Sequence, residues 1–347
     1  MGKKGKAAAT PAAATTATGP RKAETRAGAI WGHFAALGAN TCFGVGSVVI
    51  GLALGSISPL YFAMLRAVGA TSIFLLQARF KGIASKDWGL LVLYGIAMFV
   101  SMSGYLVGIK LSNPVMAAIW QPTQPIFTLV LVTLLGIEPV SMTKVLGVLL
   151  VFGSCIYIVF AKPQPADDSA SQDAPTPLWV NGIFVLACLG SASMVLLSKK
   201  LISKGHAFAP ILGWASFVCA ILMAGATYIG HSTPVSHELL CPKNGCGDGY
   251  QIPESFIFPF LYVVIFMTVV PYGLNSIAAQ NLEGSVTSAY TASQPVTAAC
   301  ATVVAKTLLP DAKLTMPHHS MIWGVLGIFS GLALLSFAAK PAPKATT

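Results

Sequence analysis

Ten apolar runs, each near the twenty or so residues that a helix needs to cross a hydrocarbon layer, occupy most of this sequence. They fall at approximately 30–54, 58–78, 88–109, 113–135, 142–161, 178–198, 207–230, 255–280, 285–308 and 320–339. In lipid every backbone N–H and C=O must be satisfied within the chain, so only helices and closed barrels can span it. Barrel strands alternate apolar and polar residues over about ten positions, and these runs are too long and too continuous for that. The expected fold is an all-α membrane protein, a bundle of ten transmembrane helices. Composition points the same way, because only 9% of the residues are charged, against about a quarter in a soluble domain.

The net charge of +10 does not imply a nucleic-acid partner. Its cations fall in short segments between apolar runs and form no patch interleaved with aromatic residues. They do orient the bundle, since cytoplasmic connections retain Lys and Arg. Alternate connections and the two tails carry fifteen: Lys3, Lys4, Lys6, Arg21, Lys22, Arg26, Arg79, Lys81, Lys86, Lys144, Lys199, Lys200, Lys204, Lys340 and Lys344. The opposite side carries five, Lys110, Lys162, Lys243, Lys306 and Lys313. Both termini are therefore expected in the cytosol, in either the plasma membrane or an internal one. Residues 1–27, rich in Ala and Thr, read as a disordered cytosolic tail: Ser is absent, and Pro and Gly break any long amphipathic helix of the kind an organelle would import.

Cys42, Cys155, Cys188, Cys219 and Cys300 lie within runs and read as small packing residues. Cys241 and Cys246, in CPKNGCGDG, lie in a loop placed on the non-cytosolic side, where a disulfide persists. No metal is expected there, because two thiolates without neighbouring His make a poor site.

Some of the chain is used twice. At an offset of 170, SMSGYLVGIKLSNPVMAAIWQPTQP (101–125) lies over PYGLNSIAAQNLEGSVTSAYTASQP (271–295), matching Trp120 with Tyr290, Gln124 with Gln294 and Pro125 with Pro295. GVLLVFG at 147–153 resembles GVLGIFS at 324–330, and SPLYFAMLR from Ser58 parallels APILGWASF from Ala209. Each repeat is five helices long. An odd number inverts the second copy relative to the first, an arrangement suited to alternating access around one central site. The expected organisation is a tail at 1–27, a five-helix repeat at 28–162, a linker at 163–177, an inverted five-helix repeat at 178–339 and a tail at 340–347.

The opening WGHFAALGANTCFGVGSVVIGLALGSISPLYFAMLR resembles EamA-type members of the drug/metabolite transporter superfamily, with a Trp-Gly start, a helix of small residues, then Ser-Pro and a Leu-Arg pair. GIEPVSMTKVLGVLLVFGSCIYI is similar to that family's Glu-containing turn into its fifth helix, whereas LLPDAKLTMPHHSMIWG departs from the pattern, with Asp311 where a Glu stands. The resemblance implies movement of small metabolites such as amino acids, nucleobases, nucleotide sugars or sugar phosphates.

The Gln-Pro pairs locate a candidate site. Pro122 and Pro125 have no N–H to give the carbonyls of Ala118 and Gln121, which then need another partner or a water-lined cavity. Trp120, Gln121 and Gln124 share a helix face, and Thr287, Tyr290, Thr291 and Gln294 follow the i, i+3, i+4, i+7 spacing of another. Polar amides are costly against lipid, so both stripes are expected to face inward. Tyr105 and Asn275 form a second matched pair, and Asn40 joins them from the first helix. Arg66 is the one formal charge within a span, either a substrate contact or a structural charge.

Substrate-binding candidates are thus Asn40, Tyr105, Trp120, Gln121, Gln124, Asn275, Tyr290 and Gln294. With no carboxylate in mid-span and no cluster of cations, the cavity suits neutral, zwitterionic or aromatic solutes such as amino acids or nucleobases. A nucleotide-sugar or sugar-phosphate exchanger is the alternative within transport; a membrane receptor or structural protein is the alternative outside it. No cofactor is expected, and no enzyme: Walker, G-x-S-x-G and H-E-x-x-H patterns are absent, and His33, His206, His231, His237, His318 and His319 read as solvated residues at span ends and in loops. The expected partners are a small-molecule substrate and the lipid bilayer, with the chain acting as a monomer or homodimer.

Overall fold

The computed structural model describes residues 26–53, 57–111, 120–137, 141–160, 178–234, 237, 240–241, 249–252, 256–308 and 321–338. Regular structure among them is wholly helical and forms ten rods. These are α1 (Arg26–Ala53), α2 (Pro59–Gln77), α3 (Trp88–Leu111), α4 (a 3-10 turn, Gln121–Thr123, then Gln124–Leu134) and α5 (Met142–Phe160). The second five are α6 (Leu178–Ser203), α7 (Phe208–Ser232), α8 (Ile257–Val264, a π turn at Ile265–Val269, then Val270–Asn281), α9 (Gly284–Ala289, a 3-10 turn at Tyr290–Ser293, then Gln294–Leu308) and α10 (Met321–Ala338).

Among the described residues six rods, α1 to α3 and α6 to α8, are long and apolar enough to cross a membrane, and apolar segments of α4, α5 and α10 are shorter. The ten expected spans are thus six by length and composition. Part of the difference is chemical. The helix at α4 is interrupted by its Gln-Pro pairs, and α9 is broken at the same place and rich in Ser and Thr.

Local sequence sets several ends. Ser58 is extended (φ −64°, ψ 132°) and Pro59 opens α2 at a position whose N–H has no intrahelical partner. After α2 the chain reverses through Arg79 and Phe80, both left-handed at φ 49° and 54°. Trp31, Trp179, Trp323 and Tyr228 stay exposed near rod ends, where amphipathic rings sit at the level of lipid headgroups.

The rods pair in a regular way: α1 with α8 and α9, α6 with α3 and α4, α2 with α7, α5 with α10, and α4 with α9. Exchanging each rod for the one five places away returns the same pairs. Lipid tails are as apolar as a Leu side chain, so close packing rather than escape from water holds such rods together. Phe62, Phe74, Leu91, Met98, Ile211, Leu212 and Met223 fill the joint of α2, α3 and α7. At the α5–α10 crossing, a Cβ on Gly147 would lie 3.1 Å from the Gly331 carbonyl oxygen, and one on Gly331 would lie 2.9 Å from the Gly147 carbonyl oxygen. Ala at either position would push the two rods apart.

Candidate functional site

The breaks in α4 and α9 are built alike. Gln124 N–H donates to the Gln121 carbonyl, and Gln294 N–H donates to the Thr291 carbonyl, each an i to i+3 bond. One residue earlier, Thr123 Oγ1 donates to the Trp120 carbonyl at 2.6 Å, and Ser293 Oγ donates to the Tyr290 carbonyl at 2.8 Å. The Gln121 carbonyl, expected to need another partner or a water-lined cavity, finds that partner in the Gln124 N–H, because tightening to 3-10 supplies the donor from within the turn. Ala118 lies outside the described residues.

Beside the breaks lies a cavity of about 560 Å³, in the size range of small-molecule sites. Asn40 of α1, Arg66 of α2, Tyr105 of α3, Trp120, Gln121 and Gln124 of α4, Asn275 of α8 and Gln294 of α9 all line it. Trp120 stacks on Phe184 of α6, rings 6.4 Å apart and 11° from parallel, and donates from Nε1 to Asn181 Oδ1 at 3.2 Å. Gln121 is hydrogen-bonded to Tyr105. Gln294 Nε2 donates to Asn40 Oδ1 at 2.8 Å, while Asn40 Nδ2 donates to the Ala36 carbonyl at 2.7 Å. The Gln124 side chain makes no hydrogen bond among the described residues. Close packing brings α1 in, because a Cβ on Gly44 would lie 2.7 Å from the Gln294 carbonyl oxygen.

Tyr290 stands apart from the other sequence candidates. It is absent from the cavity wall, and its hydroxyl meets His33 Nδ1 of α1 at 2.8 Å. The i, i+3, i+4, i+7 stripe assumes 3.6 residues per turn, but the backbone tightens to three per turn from Tyr290 onward. Thr287, Thr291 and Gln294 still line the cavity, joined by Ser288.

Sequence reading proposed no residue from α6, yet this rod contributes Phe184, Ala187, Cys188, Ser191, Met194, Val195 and Ser198. Their spacing of i, i+3, i+4, i+7, i+10, i+11 and i+14 is a helical face, so the signal was present. The offset of 170 hid it, since Asn40 would map to Pro210 in α7 rather than to α6. Ser191 Oγ also meets Ser101 Oγ of α3 at 2.6 Å.

The EamA-like transporter family model matches residues 30–160 and again residues 178–337. The chain belongs to the EamA-like transporter family. The crystal structure of another protein is similar in fold, with a TM-score of 0.65 at 13% identity over 90% of this chain and 97% of the other. This EamA-like chain is accordingly a multi-pass membrane transporter of small molecules, in a family of transporters rather than enzymes.

Polar contacts gather at the two ends of the EamA-like bundle. At the end where α5 and α9 begin, Lys144, almost fully buried, pairs with Glu283 at 2.7 Å, and Lys199 Nζ donates to the Leu282 carbonyl at 3.1 Å. Lys144 had been assigned to a connecting loop; its ammonium is instead enclosed beside the first turn of α9. Before α3, Asp87 accepts from Lys204 and pairs with His206 Nε2 at 2.8 Å.

At the opposite end, His231 Nε2 meets Ser58 Oγ at 2.9 Å, His231 Nδ1 meets His237 Nδ1 at 2.9 Å, and Cys241 Sγ lies 3.5 Å from His237 Nε2. The reading of these His residues as merely solvated is corrected for His33, His206, His231 and His237, all of which hold a named partner. Contrary to expectation, the Cys241 sulfur does have His neighbours, since ligand atoms of His231, His237 and Cys241 come within 4.8 Å of one another. Cys241 is disulfide-bonded, which commits its sulfur. Its expected partner Cys246 lies outside the described residues, as do His318, His319, Glu138 and Asp311. Cys42, Cys155, Cys188, Cys219 and Cys300 are free thiols.

Proposed function

We propose that the chain carries neutral, zwitterionic or aromatic metabolites, such as amino acids or nucleobases, by alternating access of two inverted five-helix halves around the cavity. The observation that carries this reading is the cavity wall. Amide, hydroxyl and aromatic groups come from both halves, and among the described residues the wall holds one cation, Arg66, and no carboxylate. Phosphate-bearing solutes need more positive charge than that, which disfavours the nucleotide-sugar or sugar-phosphate exchanger. All these walls come from one chain, which supports a transport unit that needs no second copy.

In this reading residues 28–162 and 178–339 are the halves, joined by the linker 163–177, with tails at 1–27 and 340–347 and both termini in the cytosol. The Lys144–Glu283 pair and the His33–Tyr290 contact, each joining one half to the other, then belong to the cytosolic end and separate when the cavity opens there. A Cys241–Cys246 disulfide ties the opposite loop.

Purified protein in liposomes is tested with radiolabelled amino acids, nucleobases, nucleotide sugars and sugar phosphates. Saturable uptake of an amino acid or nucleobase is expected, competed by its unlabelled form. Uptake of the phosphorylated solutes alone, or of none by correctly inserted protein, overturns the proposal. Protease access to terminal tags in sealed vesicles tests the orientation, and non-reducing peptide mass spectrometry tests the disulfide.

A further inference from the structure

Arg66 is 93% buried in the middle of α2, and it is one of the residues that line the cavity. Two of its guanidinium nitrogens are held by α8. Nε donates to Thr268 Oγ1 at 2.6 Å and Nη2 donates to the Met267 carbonyl at 2.7 Å. Both acceptors belong to the π turn Ile265–Val269. Such turns are uncommon and gather at functional sites. Thr268 is itself oriented, because its hydroxyl donates to the Val263 carbonyl at 3.0 Å, leaving its lone pairs to Arg66.

Neither acceptor carries charge. The only carboxylates among the described residues, Asp87 and Glu283, are engaged with Lys204, His206 and Lys144 near rod ends. A guanidinium does not discharge at any ordinary pH, so this span holds a permanent positive charge that the described protein solvates but does not neutralise. Nη1 has no described hydrogen-bond partner, and the residue borders the cavity together with Tyr105 and Tyr272. An anchored arginine that presents free N–H groups to a cavity suits a planar oxyanion bound by two parallel hydrogen bonds.

We infer that Arg66 is the anion subsite of the cavity and takes the single carboxylate of the transported solute, whose apolar body lies toward Trp120 and Phe184. One guanidinium balances one negative charge. Monocarboxylates and the carboxylate end of amino acids therefore fit, whereas nucleobases leave the charge unmatched and phosphate esters bring an excess. The inference rests on the cavity being the transport site, and it narrows that reading to acids.

The test is isothermal titration of the full chain in detergent with phenylacetate, phenylalanine, their amides phenylacetamide and phenylalaninamide, and adenine. At least one acid is expected to bind tenfold or more tightly than its amide, with adenine weaker still. Arg66→Gln should abolish the preference for acid over amide, and Arg66→Lys should keep part of it. The comparison within the unaltered protein stands even if the variants fail to fold. Equal binding of acid and amide, an acid preference that survives in Arg66→Gln, or no binding of either acid at millimolar concentration overturns the inference. Adenine uptake into liposomes without binding of either acid would sink the Arg66 subsite and leave the transport reading standing.

Discussion

At the break in α4 the Gln124 amide faces the cavity without a hydrogen-bond partner among the described residues, whereas at the break in α9 the matching Gln294 amide is tied to Asn40 at 2.8 Å. The aromatic residues preceding them diverge as well. Trp120 forms cavity wall against Phe184, while Tyr290 turns to His33. Yet the backbones agree, each closing a 3-10 turn before Gln-Pro with a hydroxyl on the carbonyl of the aromatic residue. Duplication preserved the backbone device, and the neighbouring rod decides what each side chain does. Around α9 the neighbour is α1, which presents an Asn; around α4 it is α6, which presents Ala187, Cys188 and Phe184. One half thus keeps a committed amide and the other an available one.

The largest effect expected from this asymmetry is on folding. Gln294→Ala removes the donor to Asn40 Oδ1 in a residue 98% buried, and leaving such an acceptor unpaired costs about 1–3 kcal/mol. Thermal unfolding in detergent should show the loss. Gln124→Ala should leave stability unchanged to within about 0.5 kcal/mol. Equal destabilisation by the two would dissolve the distinction between committed and available amides.

Transport should show the reverse order. A hydrogen bond from solute to Gln124 is worth about 0.5–1.5 kcal/mol, so Gln124→Ala should lower uptake per inserted protein about two- to tenfold. Tyr290→Phe, which loses the hydroxyl contact with His33, should change uptake less than Gln124→Ala does while lowering stability by about 0.5–1.5 kcal/mol. Impaired uptake with Tyr290→Phe at full stability would return Tyr290 to the site.

The smallest effect concerns what the halves share. Thr123→Val and Ser293→Ala each remove one hydroxyl from the carbonyl three residues back, and each should destabilise by about 1 kcal/mol or less. Similar values at the two breaks would support a common backbone device. A large value at only one would mean that the breaks are held differently.

Much of the cavity wall was legible because its residue types are costly in lipid. Amides, an arginine and prolines inside apolar runs can only be turned inward, which selected Asn40, Arg66, Gln121, Gln124, Asn275 and Gln294. Residues that are unremarkable in a membrane helix, such as Ala187, Ser191 and Phe184, carried no such mark. Tyr290 falls outside the cavity wall because its stripe assumes 3.6 residues per turn where the backbone tightens to three.

The apolar runs by themselves determined an all-helical membrane protein, since a backbone in lipid is satisfied only in helices or closed barrels and these runs are too long and continuous for barrel strands. The repeat spacing also determined where two rods break, since proline lacks an N–H wherever it sits. Only the tertiary structure decided that the Gln294 side chain is held by Asn40 while that of Gln124 is not, and that α6 supplies a wall. It also decided that Arg66 leans on the Thr268 hydroxyl and the Met267 carbonyl of α8, some 200 residues away. These outcomes depend on which rod lies alongside and at what rotation, and such contacts across the bundle are set by packing that no local spacing encodes.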